Sequence, residues 1–346
     1  MSKTLQDYAT LINDTIQSNE INHYITTDNM CQNLGGIDTF KNINIPQGKV
    51  RSFQKDDVLL SNIRLYFRKV YRAKQKGGCS SDVLVFRAKH IDSATLFAIL
   101  SSQIFTDYAC SGSQGSKMPR GNKTHMMDFK IPTINFTIAK IFNSIQNKIE
   151  NNHKINELLH TLAYKIYEYY FKYKPKNAKL EQIIIENPKS SIMVKNAQKT
   201  QDKYPFFTSG DNTLSYPKAI IDGRNCFLNT GGNAGIKFYV GKASYSTDTW
   251  CICANEFSDY LYLLLSSIKN HINQSFFQGT SLKHLQKNLL KKYPIYMPST
   301  HEIKKFNQIM MPLLTLISIN TRTSKKLEQI RDFLLPLLLK QQVKPK

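Results

Sequence analysis

The sequence contains one architecture written twice, and this repeat restricts the possible folds more than any other feature. Two long segments with apolar residues at helical spacing follow Pro132 and Pro298. Each segment interrupts its apolar seam with an asparagine, Asn152 in the first and Asn320 in the second. Because the two interruptions coincide when one segment is laid on the other, the chain is predicted to be an internal duplication with two long helices.

Each seam follows the steps of three and four residues that a heptad pattern requires. The first helix is predicted from about residue 133 to 172, a length of about 60 Å at 1.5 Å per residue. A small domain core needs less, so we interpret the helix as a spacer; the alternative is a stripe that only packs on a core. The predicted seam residues are Ile138, Ile141, Ile145, Ile149, Ile155, Leu159, Leu162, Ile166 and Tyr169, then Phe306, Met310, Leu313, Ile317, Leu327, Ile330, Leu334 and Leu337.

Shorter features repeat in the same order before each helix. "LSS" occurs twice, and a basic loop precedes each helix, containing Gly115 in the first half and Gly279 in the second. Stretches such as "SSDVLVFRA" read as short buried strands, and "ATLFAILSSQIFTDYA" reads as a helix. The fold class is therefore predicted to be α/β (α+β), with two modules in pseudo-repeat. The predicted organisation is a module at 1–132, a helix at 133–175, a module at 176–298 and a helix at 299–346.

The chain is strongly basic. It has 47 Lys and Arg against 25 Asp and Glu, a formal charge of +22. An excess of this size favours a polyanionic partner, nucleic acid first; an anionic membrane surface and a merely basic protein are the alternatives. The opening "MSKTLQDYATLINDTIQ" is polar, unlike a secretory signal, and the apolar runs are too short to span a bilayer. A cytoplasmic protein is expected.

Catalytic motifs are missing from the sequence. There is no G-x-x-x-x-G-K-[ST] loop for a nucleoside triphosphate and no G-x-S-x-G elbow. "NTGGNAG" at 229–235 lies between two strand-like stretches, which favours a hairpin turn over a nucleotide loop. The histidines and cysteines show no metal-ligand spacing. We therefore expect a chain that is not an enzyme and holds no metal or cofactor of its own; a site assembled only in space is the alternative.

Several motifs together resemble the specificity (S) subunit of type I restriction–modification systems. They are "HYITTDNM", "DDVLLSNIRLYFRKV", "GCSSDVLVFRA" and "GSKMPRGNK" in the first half, and "FQGTSLKHLQKNLLKKYPIYMP" in the second. The two long helices are similar to the central and distal conserved regions of that family, so the resemblance covers essentially the whole chain. The helix openings "PTINFTIAK" and "PSTHEIKKF" depart from the family's Pro-x-x-x-Glu-Gln pattern.

The resemblance implies two target-recognition domains, each reading one half of a bipartite, asymmetric DNA site for restriction and phage defence. It further implies that the two helices lie antiparallel as a coiled-coil rod that sets the spacing and docks methyltransferase subunits. The expected partners are double-stranded DNA, two modification subunits and motor-nuclease (restriction) subunits. S-adenosylmethionine, ATP and Mg²⁺ are expected on those partners. The alternatives are a basic coiled-coil scaffold that binds nucleic acid without sequence preference, and a fused enzyme.

Candidate DNA contacts are basic or small polar residues in strand-like and loop stretches. Solvated strand edges and ordinary turn or cap duty are the alternative roles. Asn152 and Asn320 are predicted to pair with each other and to fix the register of the helices. The candidates in the first module are Thr26, Thr27, Asn29, Ser61, Asn62, Arg64, Arg68, Lys69, Arg72, Lys117, Arg120 and Lys123. Those in the second module are Thr208, Ser209, Asn229, Thr230, Asn233, Lys237, Lys283 and Lys287.

Overall fold

The computed structural model describes residues 3–38, 43–131, 133–197, 203–210, 213–280 and 282–339. These residues divide into two units. The first unit contains the chain up to Asn152 together with the described residues from Ser324 onwards, and the second unit runs from His153 to Thr323. Each unit therefore combines one module with part of both long helices. Pro132, the last residue of the predicted first module, lies outside the described residues, as does the end of the predicted distal helix after residue 339.

The first unit begins with the N-terminal module. Its strands are β1 (Ala9–Ile12), β2 (Thr15–Gln17), β3 (Tyr24–Ile25), β4 (Lys49–Phe53), β5 (Val58–Ser61), β6 (Val70–Arg72), β7 (Gly77–Cys79) and β8 (Val83–Ala88). Its helices are α1 (Leu5–Tyr8), α2 (Ser93–Leu100), α3 (Gln103–Ser111), α4 (Lys123–Met127) and the start of the long α5 (Phe136–Tyr167).

The second unit holds the remaining elements. A π-helical turn at Glu168–Lys172 ends α5. The strands are β9 (Ala178–Lys179), β10 (Ile185–Glu186), β11 (Tyr204–Phe207), β12 (Leu214–Tyr216), β13 (Arg224–Asn229), β14 (Ile236–Val240), β15 (Ser244–Tyr245), β16 (Thr249–Cys253), β17 (Phe277–Gln278), β18 (His284–Leu285) and β19 (Pro294–Ile295). The helices are α6 (Ser258–Ser267), α7 (Lys269–Ser275), α8 (Lys287–Lys291) and α9 (Thr300–Leu338), which ends among residues of the first unit.

The central sheets of the two units have the same strand order. The order is β1-β8-β5-β6 in the first unit and β10-β16-β13-β14 in the second. In both sheets, the four strands taken in chain order therefore lie side by side as first, fourth, second and third. Every neighbouring pair in both sheets is antiparallel. The predicted buried strand in "SSDVLVFRA" is β8, and the predicted glycine turn connects β13 to β14. The equal orders confirm the predicted pseudo-repeat and the mixed α/β class.

A second sheet in each unit distinguishes the two copies. The first unit has four strands in the order β2-β4-β7-β3, whereas the second has three in the order β12-β11-β15. Both contain one parallel pair, β3 with β7 and β11 with β15. The copies thus share a central framework and differ in the sheet that accompanies it.

The repeated "LSS" marks a helix break in both units. One helix was expected over "ATLFAILSSQIFTDYA", but α2 and α3 are separate helices. The Ser102 hydroxyl donates to the Ile99 carbonyl at 2.7 Å and accepts from the Phe105 N–H at 3.2 Å, so it caps the start of α3. In the second unit the Ser267 hydroxyl makes the equivalent bond to the Leu264 carbonyl at 2.7 Å, where α6 gives way to α7.

The start of α5 and the end of α9 run antiparallel in the first unit. The Asn135 N–H donates to the Leu338 carbonyl at 3.1 Å. Further along α5, the Asn152 amide donates to the Ser324 hydroxyl at 3.1 Å. As the residue number increases along α5, the residue number of its partner on α9 decreases, as an antiparallel pair requires.

The same antiparallel pairing holds between the end of α5 and the start of α9 in the second unit. The Asn320 amide donates to the Asn156 side-chain oxygen at 3.0 Å. Beyond the end of α5, the ring of Tyr170 lies 6.1 Å from that of Phe306, edge to face. In each unit, the two long helices therefore form the kind of helical pair that the coiled-coil prediction requires.

The predicted apolar seam of α5 is wrong by about one residue in places. Ile141 and Ile155 were assigned to the seam, yet they are 42% and 40% exposed, whereas Phe142 and Gln146 are buried. The ring of Phe142 packs 5.5 Å from that of Phe97 in the core of the first unit. A large aromatic ring buries more apolar area than isoleucine, so this packing selects the neighbouring helical face.

None of the helices in the described part of the chain is long and apolar enough to cross a bilayer. Within the same residues, no group of three His, Cys, Asp or Glu side chains is placed to hold a metal ion. The six cysteines form no disulfide. Burial raises the pKa of Cys79 to about 12, which keeps that side chain a thiol.

Candidate nucleic-acid interface

The basic glycine loop of the first unit is a closed hairpin. Backbone bonds join Gln114 and Arg120 in both directions, at 2.9 and 2.8 Å. Gly115 has φ +100, a conformation that residues with a Cβ rarely adopt. The tip between them is exposed and carries Lys117 and Met118. The loop therefore presents a cation and an apolar side chain on an ordered turn.

This loop is held by the chain that leaves the central strand β5. The Arg64 N–H donates to the Pro119 carbonyl at 2.9 Å, and its Nη2 donates to the Lys117 carbonyl at 3.3 Å. The Gly121 N–H donates to the Asn62 carbonyl at 3.1 Å. A Cβ on Gly121 would lie only 2.9 Å from the Asn62 side-chain oxygen, so glycine permits this close approach. The predicted candidates Asn62, Arg64 and Lys117 thus meet at one place.

The charges around the loop are only partly balanced. Arg120 pairs with Asp82 at 3.0 Å, and the Asp82 carbonyl accepts the Asn62 N–H at 2.8 Å. Lys117 and Lys123 are exposed and have no acidic partner among the described residues. Unpaired lysines beside an ordered loop suit contacts with phosphate oxygens.

The polar candidates near Thr26 stabilise their own turn. The side-chain oxygen of Asn29 accepts the Thr26 N–H at 2.8 Å, and Asn29 is only 5% exposed. The Lys69 ammonium donates to the Thr27 carbonyl at 2.5 Å. The alternative of turn and cap duty therefore describes Thr26 and Asn29, whereas Thr27 supplies a backbone oxygen that positions Lys69.

Three further candidates of the first unit face inward. Ser61 is buried, and its hydroxyl donates to the carbonyl two residues later. Arg72 lies 3.7 Å from Asp56 with most of its side chain covered. Arg68 donates to the Ser101 carbonyl at 2.9 Å, and burial lowers the pKa of its guanidinium. These three side chains contact the module from within, although the buried Nε atoms of Arg68 and Arg72 have no hydrogen-bond partner. Their role as direct DNA contacts stays a prediction.

The second unit repeats the loop arrangement. Gly279 has φ +142, and the chain returns as β18. The Gly232 N–H donates to the Lys283 carbonyl at 2.9 Å, and the Leu285 N–H donates to the Thr230 carbonyl at 3.0 Å. As in the first unit, a loop opened by glycine lies against the chain that leaves the central strand, here β13. Lys283 is exposed on this loop.

Lys237 is an internal tie rather than a surface cation. Its ammonium donates to the carbonyls of Thr208 and Gly210 at 2.7 and 2.6 Å, and to the Asn229 side-chain oxygen at 3.3 Å. The three N–H donors of the ammonium thus face three oxygen acceptors. Thr208 and Asn229 are themselves buried. Together with Lys237 they fix the loop after β11, and the role of all three as direct DNA contacts stays a prediction.

Ser209 and Thr230 complete this cluster. The Thr230 hydroxyl donates to the Asp248 carbonyl at 2.7 Å, and its N–H donates to the Ser209 hydroxyl at 3.1 Å. The Ser209 hydroxyl also donates to the Asp248 carbonyl. Asn233 is exposed at the tip of the β13–β14 hairpin, and its carbonyl accepts from the Asn229 amide. Asn233 and Lys283 are therefore the candidates of this unit whose side chains are exposed.

Lys287 covers an aromatic residue of the core. Its ammonium lies 5.2 Å from the ring centroid of Trp250, which is 3% exposed and was predicted to be core. The Trp250 indole donates to Glu186 at 2.8 Å. Burial lowers the pKa of Lys287. The contact is a cation–π interaction, so Lys287 is half-buried at the foot of the loop.

The prediction that Asn152 and Asn320 pair with each other is wrong. Asn152 bonds Ser324, and Asn320 bonds Asn156. The shift of 168 residues that takes Asn152 to Asn320 also takes Asn156 to Ser324. The shift therefore turns the Asn152–Ser324 bond into the Asn320–Asn156 bond, so the two bonds are copies of one contact.

A buried polar link in the first unit was missed by sequence reasoning. The Gln146 amide donates to the Leu34 carbonyl at 2.7 Å and its oxygen accepts from Arg331 at 3.0 Å. Arg331 is 2% exposed. The Leu34 N–H in turn donates to the Arg68 carbonyl at 3.1 Å. The available signal was Gln146 itself, a polar residue one position after the assigned seam residue Ile145.

Comparisons with known proteins agree with this architecture. The family model described as "Type I restriction modification DNA specificity domain" matches residues 176–329. No curated protein matches the sequence. The S subunit of a type I restriction-modification system from M. genitalium has a similar fold, with a TM-score of 0.66 and 14% sequence identity over 99% of this chain and 96% of that one.

Two other solved structures align less closely. The HsdS subunit from Thermoanaerobacter tengcongensis gives a TM-score of 0.37 at 13% identity, over 98% of this chain and 96% of that one. A structure described as "Structural basis underlying complex assembly and conformational transition of the type I R-M system" gives 0.38 at 12% identity, over 98% and 97%. Fold similarity therefore rests on the M. genitalium S subunit. The predicted resemblance is confirmed for residues 176–329, which match the type I restriction modification DNA specificity domain, on a chain with the fold of a type I S subunit.

Proposed function

We propose that the chain is a non-catalytic, sequence-specific DNA-binding subunit in which each unit reads one half of a bipartite, asymmetric target. The observation that carries this proposal is the repeated loop. In both units, a loop opened by Gly115 or Gly279 lies against the chain that leaves the central strand. Two copies of one reading surface suit two half-sites, and different side chains on them suit an asymmetric sequence.

The charge on these loops supports contact with the DNA backbone. Lys117 and Lys123 in the first unit and Lys283 in the second are exposed. Lysines at such positions bind phosphates and release counterions, which contributes affinity without sequence preference. Sequence preference then depends on groups that reach base edges, for which Asn233 and Arg64 are the candidates best placed beside the loops.

The long helices are proposed to dock two methyltransferase subunits and to set the gap between the half-sites. Apolar residues remain uncovered on them. In the second unit, Leu158 and Leu162 of α5 are 59% and 48% exposed, and in the first unit Phe333 of α9 is 72% exposed. Exposed apolar faces of this kind are typical of protein interfaces. S-adenosylmethionine, ATP and Mg²⁺ belong, in this proposal, to the modification and motor-nuclease subunits, and the complex works in the cytoplasm.

The test is a selection from random duplex DNA, with the protein co-purified with a type I modification subunit. We expect two short unrelated motifs at a fixed separation. A single continuous motif would mean that only one unit reads DNA. Binding without enrichment, with a steep dependence on salt, would replace the proposal with a non-specific basic scaffold.

A further inference from the structure

We propose that Arg64 is a specificity-determining residue of the first unit and that its guanidinium reads a guanine in the major groove of DNA. The inference rests on the proposed function, because it names the base that one of the two reading surfaces recognises. It deepens that function from a basic loop that contacts DNA to one side chain with one chemical partner.

The backbone of Arg64 has a conformation that arginine adopts at a cost. Its φ and ψ are 50 and 58, in the left-handed region. A Cβ there approaches the following carbonyl, a clash that glycine avoids. The repeat shift of 168 residues takes Arg64 to Gly232, which has φ +79 and open space where a Cβ would lie. The second unit therefore uses glycine at the matching position, whereas the first unit retains arginine in the same region.

Several neighbours of Arg64 share this strain. Arg68 has φ 48 at the other end of the same 3-10 turn, and Asn33 and Leu34 have φ 52 and 61. The Asn33 N–H donates to the Phe67 carbonyl at 2.9 Å, and Leu34 bonds Arg68. Residues held in sparsely populated conformations cluster at functional sites, where the surrounding bonds determine them. The turn that presents Arg64 is thus over-determined by its neighbours rather than free to rotate.

The side chain of Arg64 has unused donors. Among the described residues, the one hydrogen bond of this side chain runs from Nη2 to the Lys117 carbonyl at 3.3 Å, and Nε is buried without a partner. Its guanidinium lies 6.0 Å from the ring of Phe67, which limits its orientation. Arg72 and Arg120 each have a carboxylate partner, but Arg64 has none among the described residues. The positive charge and the Nη1 donors therefore remain available to a ligand, together with the N–H of Nη2 that does not bond Lys117.

Guanine is a better match than phosphate for a guanidinium that is held in one orientation. Guanine offers two acceptors, O6 and N7, on one edge, and a bidentate arginine is the commonest specific contact with it. Phosphate contacts need no fixed direction, and the exposed lysines Lys117 and Lys123 can supply them. In this proposal the two lysines supply affinity, and Arg64, held in a rigid turn with a left-handed backbone, supplies base identity.

The experiment compares four variants on the half-site that wild-type protein selects for its first unit. Arg64→Lys keeps the charge and loses the fork. Arg64→Ala and Arg64→Gly both lose the side chain, but only glycine relieves the backbone. Lys123→Ala is the matched control for a phosphate contact. Affinity is measured on duplexes that carry every single base-pair change, and thermal unfolding is measured on the same samples.

In wild type, we expect one position of the half-site to require guanine by about 5-fold to 150-fold over the other bases. All three Arg64 variants should lose that preference at that position alone. Arg64→Gly should unfold about 2–4 °C above Arg64→Ala. Lys123→Ala should weaken binding by one factor on all duplexes and reduce the dependence on salt.

The two levels of the proposal fail in different ways. If wild type selects no half-site through its first unit, the proposed function fails before any variant is compared. If wild type selects a site but the Arg64 variants weaken every duplex equally, as Lys123→Ala does, then Arg64 is a phosphate contact and only this inference is overturned. An unchanged base preference in the Arg64 variants would overturn it as well.

Discussion

The two helical pairs fill one equivalent position with opposite chemistry. In the first unit, Gln146 of α5 accepts from Arg331 of α9, and both are buried. The shift of 168 residues takes Gln146 to Leu314, and the reverse shift takes Arg331 to Ala163. Leu314 and Ala163 are 1% and 0% exposed in the core of the second unit. A charged, hydrogen-bonded contact in one copy thus corresponds to two buried apolar residues of one core in the other.

The difference reflects how each unit ties its module to its helices. In the first unit the donor lies on the helix, since the Gln146 side chain of α5 donates to the Leu34 carbonyl of the module. In the second unit the donor lies on the central sheet. Arg224 of β13 forms a bidentate pair with Asp259 at 2.6 and 2.7 Å and also donates to Thr315 of α9 at 2.9 Å. An arginine therefore takes part in the connection in both units, Arg331 of α9 in the first and Arg224 of β13 in the second.

The largest expected effect on the free energy of unfolding comes from breaking the Arg224–Asp259 pair of the second unit. Arg224→Met leaves the Asp259 carboxylate, which is 1% exposed, without its cation. An unpaired buried charge of this kind lowers the free energy of unfolding by about 3–5 kcal/mol. The double variant Arg224→Met, Asp259→Leu should recover most of this loss, because neither charge is then buried alone. Urea denaturation of both variants and of wild type measures the difference.

The pH dependence of Arg224→Met provides an independent check. Burial already raises the pKa of Asp259 in the intact pair, and removal of the cation raises it further. A group whose folded pKa lies above its unfolded pKa contributes more stability as pH falls. The deficit of Arg224→Met relative to wild type should therefore shrink as the pH is lowered from 7 towards 5. A deficit that is constant over this range would mean that Asp259 is not the group left unpaired.

A smaller effect is expected from the polar contact in the first unit. Gln146→Leu removes the bond to the Leu34 carbonyl and one bond to a buried guanidinium, which retains Asp332 as a partner at 3.0 Å. A hydrogen bond to a charged group contributes about 1.5–3 kcal/mol, so a loss of about 2 kcal/mol is expected. The double variant Gln146→Leu, Arg331→Met gives this contact the apolar character of the second unit and should regain most of the loss. If the double variant is as unstable as the single one, the link to Leu34 is what matters.

The repeat and the strand patterns were predictable because they are written in local sequence. The steps of three and four residues gave both long helices, and the alternation in "SSDVLVFRA" gave β8. What sequence could not give was the face that each helix buries. Ile141 and Phe142 are both apolar, and only packing against Phe97 decides between them. For the same reason, the direct pair of Asn152 with Asn320 was predicted from equal positions, whereas antiparallel geometry brings together unequal ones.

The candidate site was predictable in its location but not in its detail. Gly115 and the lysines around it marked the loop correctly. The charge of Lys237 looked the same in sequence, yet three oxygens enclose its ammonium. Such an enclosure depends on β11 and β13 lying side by side with the loops that follow them. Net charge indicates a polyanionic partner, but the hydrogen-bond partners of each cation decide whether it is free to meet that partner.

The smallest effect concerns how the two long helices begin. At the start of α9, the Ser299 N–H donates to the Glu302 carboxylate at 2.9 Å, and the Glu302 N–H donates back to the Ser299 hydroxyl at 3.3 Å. This is a capping box. At the start of α5, Asn135 alone accepts the Ile138 N–H at 3.1 Å, and no carboxylate returns the bond. Glu302→Ala should cost about 1 kcal/mol of unfolding free energy, and Asn135→Ala is the matched control in the other helix.

The two caps should separate by their response to acid. Hydrogen bonds from the Ser299 backbone and then from the Tyr296 hydroxyl lower the pKa of Glu302 to about 2 from its ordinary value of 4.5. Because the folded pKa is depressed, the contribution of Glu302 is present above pH 4.5 and is lost as the pH falls towards 2. The difference between wild type and Glu302→Ala should therefore narrow across that window, whereas Asn135→Ala, which removes a neutral cap, should differ from wild type by the same amount throughout. Equal behaviour of the two variants would mean that the charge of Glu302 contributes nothing beyond an ordinary neutral cap.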